Sequence, residues 1–390
     1  MKKLKKNNLI LSILFLAYAL EAEESFIPDP PSLNSTSFIL VDFATNRILA
    51  EKKPDEKMEP ASITKLMTGY VVSDQISEGF ISLNDEVVIS ENCWRKKGSR
   101  MFIVEGSKVL LLDLIKGMVI QSGNDASCAI AEHVAGSEEN FVKLMMKYVE
   151  SLGLNNTNFI NPTGWPDENH YSTAKDLAIL SRNLIKSFPE HYSLYKQRSF
   201  TYNDIKQRNR NSLLWQDDSV DGLKTGHTEK AVHCLVSSAS RNDTRLIAVT
   251  LNSSSEKNRL KDHRKILDYG FRYYRTKKLF LKGQNLREEQ IWGGKQDTVK
   301  ISPLEDLYLT LPVRDFRRVK SVFVLDNYIK APVSEGQVVG KMLLKLDENE
   351  IGAVDLISLE DIDAKGFFGK VWSNIKLLVY RFLMEENSTS

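Results

Sequence analysis

The sequence predicts an α/β domain with helices on both faces of an antiparallel sheet, then a small all-β domain and a C-terminal amphipathic helix. Strand-like apolar runs stand at both ends of a helical middle, which places the first and last strands of the chain side by side in one sheet. From about residue 278 the pattern changes to short alternating runs between turn residues. The last segment, 366–384, has apolar residues at helical spacing.

The composition is that of a globular protein with room for more than one domain. The chain has 390 residues, of which 42% are hydrophobic and 27% charged, with only 20 Gly and 11 Pro. These values exclude a collagen-like, low-complexity or wholly disordered chain. The net charge is +2, but four lysines against Glu21 give the first 22 residues a charge of +3. The remainder therefore carries −1, and we predict no binding to nucleic acid.

Residues 1–22 have the pattern of a signal peptide. Lysines precede an apolar run from Leu9 to Leu20, and small residues stand toward and after its end at Ala17, Ala19 and Ala22. About a dozen apolar residues is short for a membrane span but suits the core of a secretory signal. An uncleaved N-terminal anchor is the alternative, and both interpretations predict export. No cysteine follows the run, which argues against a lipoprotein.

Residues 23–277 are expected to form the first domain. After an irregular lead-in at 23–35, runs at 37–43 and 47–51 flank a turn and predict a β-hairpin. Helical periodicity then occupies five segments: 62–75, 110–121, 124–134, 138–152 and 173–186. Strands are predicted at 222–226, 231–239 and 246–252, followed by a closing helix at 256–275.

Residues 278–364 and 365–390 are expected to form the β-rich domain and the amphipathic helix with its tail. The predicted strands of the β-rich domain are 297–302, 306–312, 321–326 and 340–346. In the final helix, Lys370, Lys376 and Arg381 make a membrane span unfavourable, whereas a helix lying in the membrane interface would keep these cations in water. We favour that membrane-surface anchor, with docking on the chain's own domain as the alternative.

Cysteine and histidine usage predicts neither a disulfide scaffold nor a metal site. Cys93, Cys128 and Cys234 form no CxxC pair, and although one bridge is possible, we expect free buried thiols. His133, His170, His191 and His263 show no HExxH or paired spacing, so we predict no metal and no cofactor.

The segment Ser62-Ile-Thr-Lys65 has the spacing of an activated serine. Pro60 and Ala61 suit a first helical turn, and residues three apart lie on one helix face. A serine hydroxyl needs a base to remove its proton, and a desolvated lysine with a lowered pKa can serve. Taken alone, SxxK is common on solvated helix surfaces.

Two further motifs could complete such a site. Ser122-Gly-Asn124 lies between two predicted helices, where it offers a hydroxyl for proton relay and an amide for a substrate carbonyl. Its alternative interpretation is a helix-ending glycine followed by an asparagine N-cap. Lys224-Thr225-Gly226 reads as an edge strand whose cation and hydroxyl could hold a carboxylate, with its glycine where a substrate backbone approaches.

In this order, the three motifs match the SxxK, SDN and KTG signature of penicillin-binding proteins and class A β-lactamases, with Gly123 replacing the middle Asp. The chain resembles the D-alanyl-D-alanine carboxypeptidases of the penicillin-binding protein 5 type, peptidase family S11, in which SGN is usual. The resemblance includes PASxTKxMT, SGNDA, the stretch at 169–178, Asn209-Arg-Asn, VDGLKTGHT at 220–228, KILDYGFR at 265–272 and the FFGK-containing tail. It implies a β-lactamase/transpeptidase-like first domain, a β-rich stalk and a membrane anchor.

The resemblance also implies roles for single residues. Ser62 would be the acylated nucleophile, Lys65 its general base and Ser122 a proton relay. The substrate-binding positions implied are Asn124, Lys224, Thr225, Gly226, His227, Arg259 and Arg210, with an oxyanion hole from the backbone N–H groups of residues 62 and 227. Val232-His233 and Thr163-Gly-Trp165 depart from the family pattern, which bears on substrate preference and deacylation rate rather than on the nucleophile.

The implied function is a serine carboxypeptidase on the periplasmic face of the cytoplasmic membrane. It would remove the terminal D-alanine from peptidoglycan pentapeptides, contribute to cell shape, and be blocked by β-lactams. Three alternatives stay open: a D,D-endopeptidase; a β-lactamase, although no ExxLN glutamate lies between Ser122 and Lys224; and a non-catalytic wall-binding protein, which would not need four intact site residues.

Overall fold

The computed structural model describes residues 27–326 and 328–387. The signal peptide predicted at 1–22 lies outside these residues, and so do the first residues of the lead-in. Among the described helices, none combines the length and the apolar composition that crossing a membrane requires.

The first domain is built on a five-stranded antiparallel sheet in the order β2-β1-β9-β8-β7. Its strands, with two small hairpins, are β1 (Ser37–Asp42), β2 (Ile48–Lys52), β3 (Glu86–Val88), β4 (Lys108–Leu110), β5 (Ser199–Tyr202), β6 (Ile205–Arg208), β7 (Val220–Thr228), β8 (Val232–Arg241) and β9 (Thr244–Ser253). Its helices are α1 (Lys65–Ser77), α2 (Glu91–Trp94), α3 (Leu111–Lys116), α4 (Asn124–Ala135), α5 (Glu138–Ser151), α6 (Ala174–Ser187), α7 (Pro189–Tyr192) and α8 (Glu256–Tyr273).

The central strands are apolar on both faces because helices cover both sides of the sheet. Along β1, Ile39 and Val41 belong to the core beneath α1 and α3–α6, whereas Phe38 and Leu40 pack in the core beneath α8. Successive side chains of a strand point to opposite faces, so a continuous apolar run predicts a strand that is buried twice. β1 pairs with β9, from Ser37 opposite Leu251, which confirms that the first and last strands meet.

The second domain has its own sheet and its own core. A six-stranded sheet runs in the order β14-β16-β17-β12-β11-β15, and β10 pairs with β13 beside it. The strands are β10 (Tyr274–Phe280), β11 (Arg287–Trp292), β12 (Thr298–Pro303), β13 (Leu307–Pro312), β14 (Val319–Leu325), β15 (Ile329–Lys330), β16 (Val338–Leu346) and β17 (Asn349–Ser358).

The junction between the domains differs from the sequence expectation. The predicted helix ends at Tyr273, and β10 crosses the boundary expected at 277–278. Thr310 on β13 ties the two units together, since its hydroxyl lies 2.7 Å from that of Thr45 and its carbonyl accepts a 2.9 Å bond from Arg47. The second domain therefore follows the first through a paired strand.

The C-terminal helix α9 (Phe367–Asn387) rests on the second domain through a narrow contact. Leu377 is buried, the Ser373 hydroxyl accepts a 2.7 Å bond from the Gly293 N–H, and the Tyr380 ring lies 5.5 Å from that of Trp292. Between residues 367 and 380, the exposed apolar side chains are Phe367, Phe368, Val371, Trp372, Ile375, Leu378, Val379 and Tyr380.

The expectation of free thiols is wrong for two of the three cysteines. Cys93 on α2 and Cys128 on α4 form a disulfide, and Cys234 is free and buried. The pairing could not be read from the sequence because 35 positions separate the two cysteines. The bridge links α2, which directly precedes the loop at 95–103, to α4, which carries Asn124.

Candidate active site

Ser62 and Lys65 meet where the chain enters α1. Ser62 lies in a 3-10 turn, Ala61–Thr64, rather than in the α-helix itself, and this turn leads directly into Lys65. The Lys65 Nζ lies 3.1 Å from the Ser62 Oγ, as the three-residue spacing predicts. The serine is thus held at the mouth of the cleft with an amine against its hydroxyl.

Lys65 is almost completely enclosed, and its polar contacts are few. Besides Ser62, its Nζ donates to the Asn124 Oδ1 at 2.7 Å and to the Thr163 backbone carbonyl at 2.5 Å. Burial lowers the pKa of the Lys65 ammonium to about 7, while the nearby Asp125 carboxylate acts in the opposite direction. An amine that is largely neutral just above pH 7 keeps its lone pair for the Ser62 proton.

Ser122 is held in an unusual backbone conformation. A π-helical turn, Gly117–Gln121, follows α3 and ends at Ser122, whose φ of 67° is left-handed. The alternative interpretation, a helix-ending glycine at 123, is therefore wrong, because Gly123 has a φ of −58° and stands at the N-cap of α4. The Ser122 Oγ is buried and has no hydrogen-bond partner among the described residues. Strained residues with free polar groups are typical of functional sites.

Asn124 and Asp125 connect α4 to the loop at 95–103. The Asn124 side chain donates to the Lys97 carbonyl at 2.7 Å while its oxygen holds Lys65. The buried Asp125 carboxylate accepts 2.9 Å bonds from the N–H groups of Met101 and Phe102. The N-terminal end of α4 therefore positions both the Lys65 amine and the loop at 95–103.

The KTG motif lies on β7, which is the edge strand of the sheet. A Cβ at Gly226 would lie 2.7 Å from the Pro60 carbonyl oxygen, so here glycine allows the strand to pack against the serine turn. Lys224 is buried, and its Nζ donates to the Thr225 carbonyl at 3.1 Å. Burial lowers the pKa of Lys224 well below its usual value, and the positive charges of Lys65, Arg210 and Arg259 lower it further.

An inner cavity of about 320 Å³ joins the motifs. Its lining residues are Ser62, Ser99, Ser122, Arg210, Thr225, Gly226, His227, His233, Glu256 and Arg259. Arg259 is buried with its Nε unpartnered among the described residues, and Glu256 forms an ion pair with it at 3.2 Å. Burial lowers the pKa of Arg259 from its usual value. The cavity is therefore lined by two arginines, of which Arg259 is buried and Arg210 exposed, and by one carboxylate.

An outer cleft of about 940 Å³ continues from the inner cavity. The two share Ser62, Ser99, Arg210 and His227. The further walls of the outer cleft come from Glu59, Gly98, Asn124, Thr163, Gly164, Trp165, Pro166, Asp167, Glu168, Thr228, Glu229 and Lys230. The structure thus brings all the sequence-predicted site residues to one cleft and its immediate wall.

Several residues that build the site were not predicted from the sequence. Thr163 acts through its backbone carbonyl, which no side-chain pattern reveals. Asp125 stands in the quoted SGNDA motif, but its partners are backbone N–H groups 22 to 24 positions away. His233 faces His227 across the β7–β8 ladder, with ring centroids 4.6 Å apart. In the sequence, the one signal for His233 was that it departs from the family pattern.

Comparison with known proteins decides the family. Residues 24–255 match the model of the D-alanyl-D-alanine carboxypeptidase family (peptidase S11), which is more than half of the chain. The chain belongs to that family. Residues 274–364 match the model of the penicillin-binding protein 5 C-terminal domain.

Relatives in this family match the chain over nearly its whole length. The D-alanyl-D-alanine carboxypeptidase DacA of Haemophilus influenzae is 39% identical over 93% of this chain and 94% of its own. The DacA of Escherichia coli K12 is 38% identical over 92% and 91%. The crystal structure of penicillin-binding protein 5 from H. influenzae covers 86% of this chain and 99% of its own, at 38% identity and a TM-score of 0.80.

Membership identifies the chain as a serine-type D,D-carboxypeptidase of cell-wall processing. It also confirms the predicted penicillin-binding protein fold, with an α/β catalytic domain and a C-terminal all-β domain. Peptidoglycan as substrate class and binding of β-lactams follow from the family.

Proposed function

We propose that Ser62 is acylated by the carbonyl carbon of the penultimate D-alanine of peptidoglycan stem pentapeptides, with Lys65 as the general base. The contact between these two residues carries the proposal. A neutral amine has two N–H groups and one lone pair. The Asn124 and Thr163 oxygens accept the two N–H groups, which leaves the lone pair for the Ser62 hydroxyl 3.1 Å away.

Acylation then proceeds with a balanced proton transfer. The Ser62 Oγ bonds to the carbonyl carbon as its proton passes to the Lys65 Nζ. When the tetrahedral intermediate collapses, the C–N bond breaks, and the departing D-alanine nitrogen takes the proton that Lys65 received, through the Ser122 hydroxyl, which leaves Lys65 neutral again. The Ser122 hydroxyl has no hydrogen-bond partner in the described part of the chain and lines the same cavity as Ser62, which supports its role as a relay. Water later attacks the ester carbon by the reverse route and frees the shortened peptide.

Binding of the substrate is assigned to the edge strand and the cations around it. Lys224, Thr225, Arg259 and Arg210 would hold the terminal carboxylate, because the two arginines bring positive charge to the inner cavity and the Thr225 hydroxyl and the Lys224 amine on the edge strand can donate hydrogen bonds. Asn124 would orient the substrate amide. The N–H groups of residues 62 and 227 would stabilise the oxyanion, a contribution that can reach about 3 to 4 kcal/mol.

Acylation by penicillin tests the nucleophile. Mass spectrometry of the protein after exposure to penicillin should place one adduct on Ser62. The Ser62→Ala variant should remain unlabelled and should release no D-alanine from a pentapeptide mimic. A variant that still forms an adduct would contradict the assignment. If the wild-type protein binds penicillin but releases no D-alanine, a wall-binding role replaces the enzymatic one.

Cleavage of purified muropeptides separates the remaining alternatives. Loss of only the terminal D-alanine supports a carboxypeptidase, and conversion of cross-linked dimers to monomers supports an endopeptidase. Rapid turnover of a chromogenic cephalosporin would support a β-lactamase.

We propose that α9 anchors the exported protein peripherally at the periplasmic face of the cytoplasmic membrane. Between residues 367 and 380 most of its apolar side chains are exposed, and Lys370 and Lys376 lie on the same stretch, a combination that suits a helix lying in the interface. Its narrow contact with the second domain is compatible with this role. Co-sedimentation with anionic lipid vesicles should be lost in a Phe368→Ser/Trp372→Ser variant, while D-alanine release in solution is kept. Equal sedimentation of the two proteins would favour the docked helix.

A further inference from the structure

Two histidines face one another across the β7–β8 hairpin at the wall of the inner cavity. His227 pairs with His233 in the strand register, and the turn after Thr228 reverses the chain between them. Residues directly opposite each other in an antiparallel pair have their side chains on the same face of the sheet. The two rings therefore lie together, with centroids 4.6 Å apart, and both line the inner cavity.

The ring nitrogens of these two histidines are free to bind a ligand. The rings of His133, His170 and His263 are hydrogen-bonded to other side chains. Neither His227 nor His233 has a hydrogen bond to its ring in the part of the chain that the structure describes. His227 is exposed and His233 partly buried, so both rings can be reached from solvent. Neutral imidazole is the commonest metal ligand in proteins, and two accessible rings in contact suit one ion.

The separation of the two rings is that of neighbouring ligands on one metal ion. When each ring nitrogen lies about 2.1 Å from the ion and the angle between the two bonds is about 90° to 110°, the ring centroids lie about 4.6 to 5.3 Å apart. The observed distance between the His227 and His233 centroids, 4.6 Å, falls at the lower end of this range. Small rotations of the two side chains are therefore enough to place one nitrogen of each ring on the same ion.

The surroundings of the two rings allow an open site with two protein ligands. Among residues 27–326 and 328–387, no third histidine, cysteine or carboxylate stands close enough to both rings to complete the group, so water fills the other coordination positions. The Arg259 guanidinium lines the same cavity and opposes a cation, but Glu256 pairs with it at 3.2 Å and offsets its charge. The guanidinium is therefore not an uncompensated cation beside the rings.

We propose that His227 and His233 form a binding site for a divalent transition-metal ion of the zinc class. Imidazole nitrogen favours Zn²⁺, Ni²⁺ and Cu²⁺, whereas Mg²⁺ and Ca²⁺ prefer oxygen ligands. The ion lies beside Thr225 and Arg259, which line the same cavity and are assigned to the terminal carboxylate of the substrate. Metal binding therefore slows D-alanine release reversibly. This slowing rests on the proposed function, whereas the metal site itself needs only the hairpin.

Calorimetric titration of the full-length protein, without an affinity tag, with ZnCl2 tests the site. We expect a Kd of about 1 to 100 µM, because the site has half the protein ligands of a structural zinc site, and no binding of MgCl2. His233→Phe keeps a ring but removes a ligand, and it should weaken Zn²⁺ binding by at least about tenfold. His227→Gln should do the same. His133→Gln, which removes a histidine of α4 that does not line the cavity, is the matched control and should keep the wild-type Kd.

Inhibition gives a second measurement, taken as a ratio within each protein. Zn²⁺ should lower kcat/KM for D-alanine release by the factor 1 + [Zn²⁺]/Kd, which is about sixfold at about 0.1 mM ZnCl2 for a Kd of about 20 µM. Addition of EDTA should restore the rate. The ratio of rates without and with ZnCl2 should be close to one for His233→Phe and should equal the wild-type ratio for His133→Gln.

Absence of Zn²⁺ binding to the wild-type protein, or a Kd that both His233→Phe and His227→Gln leave unchanged, would overturn the site. Zn²⁺ binding that leaves D-alanine release unchanged would overturn the inhibition. Failure of the proposed function gives a different result, since the protein would then bind Zn²⁺ but release no D-alanine even without the metal. Each variant is first checked for the wild-type melting temperature, and because the two variants lie on different strands, either one that folds carries the test.

Discussion

The two ends of the cleft hold charge in different ways. At the inner end, the Arg259 guanidinium is buried, and Glu256 is the carboxylate that lines the same cavity. At the outer end, Asp167, Glu168 and Glu229 are exposed to water. Buried charge is costly and acts strongly over short distances, whereas exposed charge costs little and is screened. The inner end therefore suits chemistry and the outer end suits discrimination between similar peptides.

Removing the buried amine should have the largest effect. The Lys65→Gln variant keeps a polar side chain of similar reach but offers no base, and general-base catalysis typically contributes about 10²- to 10⁴-fold. We expect kcat/KM for D-alanine release to fall by about 10³-fold. An unchanged melting temperature would show that the loss is chemical, and a fall below tenfold would mean that another group activates Ser62.

Removing the disulfide should destabilise the first domain, because the bridge links α2 to α4 beside the inner cavity. Cys93→Ser/Cys128→Ser removes a bridge across 35 positions, which typically lowers the free energy of unfolding by about 2 to 4 kcal/mol. Urea unfolding measures the change. Reductant should destabilise the wild-type protein and have no effect on the double variant. A reductant response that the double variant shares would place the sensitivity elsewhere.

Neutralising the Asp125 carboxylate, which holds the loop at 95–103, should have the next largest effect. Asp125→Asn keeps the shape of the side chain but replaces an accepting oxygen opposite backbone N–H groups. Hydrogen bonds to charged groups contribute about 1.5 to 3 kcal/mol, so we expect a loss of about 2 kcal/mol on unfolding. Glu150→Gln, an exposed change on α5, is the control and should change stability by less than about 0.5 kcal/mol.

The pH dependence of acylation tests whether burial lowers the pKa of Lys65. The lowered pKa of Lys65, about 7, means that the neutral base increases as pH rises through 7 and is lost below it. The penicillin acylation rate should therefore fall about tenfold per pH unit below 6 and reach a plateau above 8. A rate that stays flat between pH 5 and 9 would contradict a titrating Lys65.

Much of the site was predictable because its motifs are local. Ser62 and Lys65 are three residues apart, and Ser122 and Lys224 lie in short motifs whose order is diagnostic. Four strands of the second domain, β10, β11, β15 and β17, were not predicted. β11 reads Arg-Glu-Glu-Gln-Ile-Trp, and its charged residues hide the alternation, while β10 continues directly from α8 without a turn signal. Their place in the sheet depends on strand partners distant in sequence.

The sequence by itself determined the fold class, the two domains and the three motifs, because apolar periodicity and short-range spacing are written along the chain. Only the tertiary structure decided that Cys93 pairs with Cys128, that Thr163 offers its carbonyl to Lys65, and that Glu59 is buried in the wall of the outer cleft. Each of these depends on groups that folding brings together across tens of residues or more. Burial, which sets the pKa of Lys65, is likewise a property of the packed molecule.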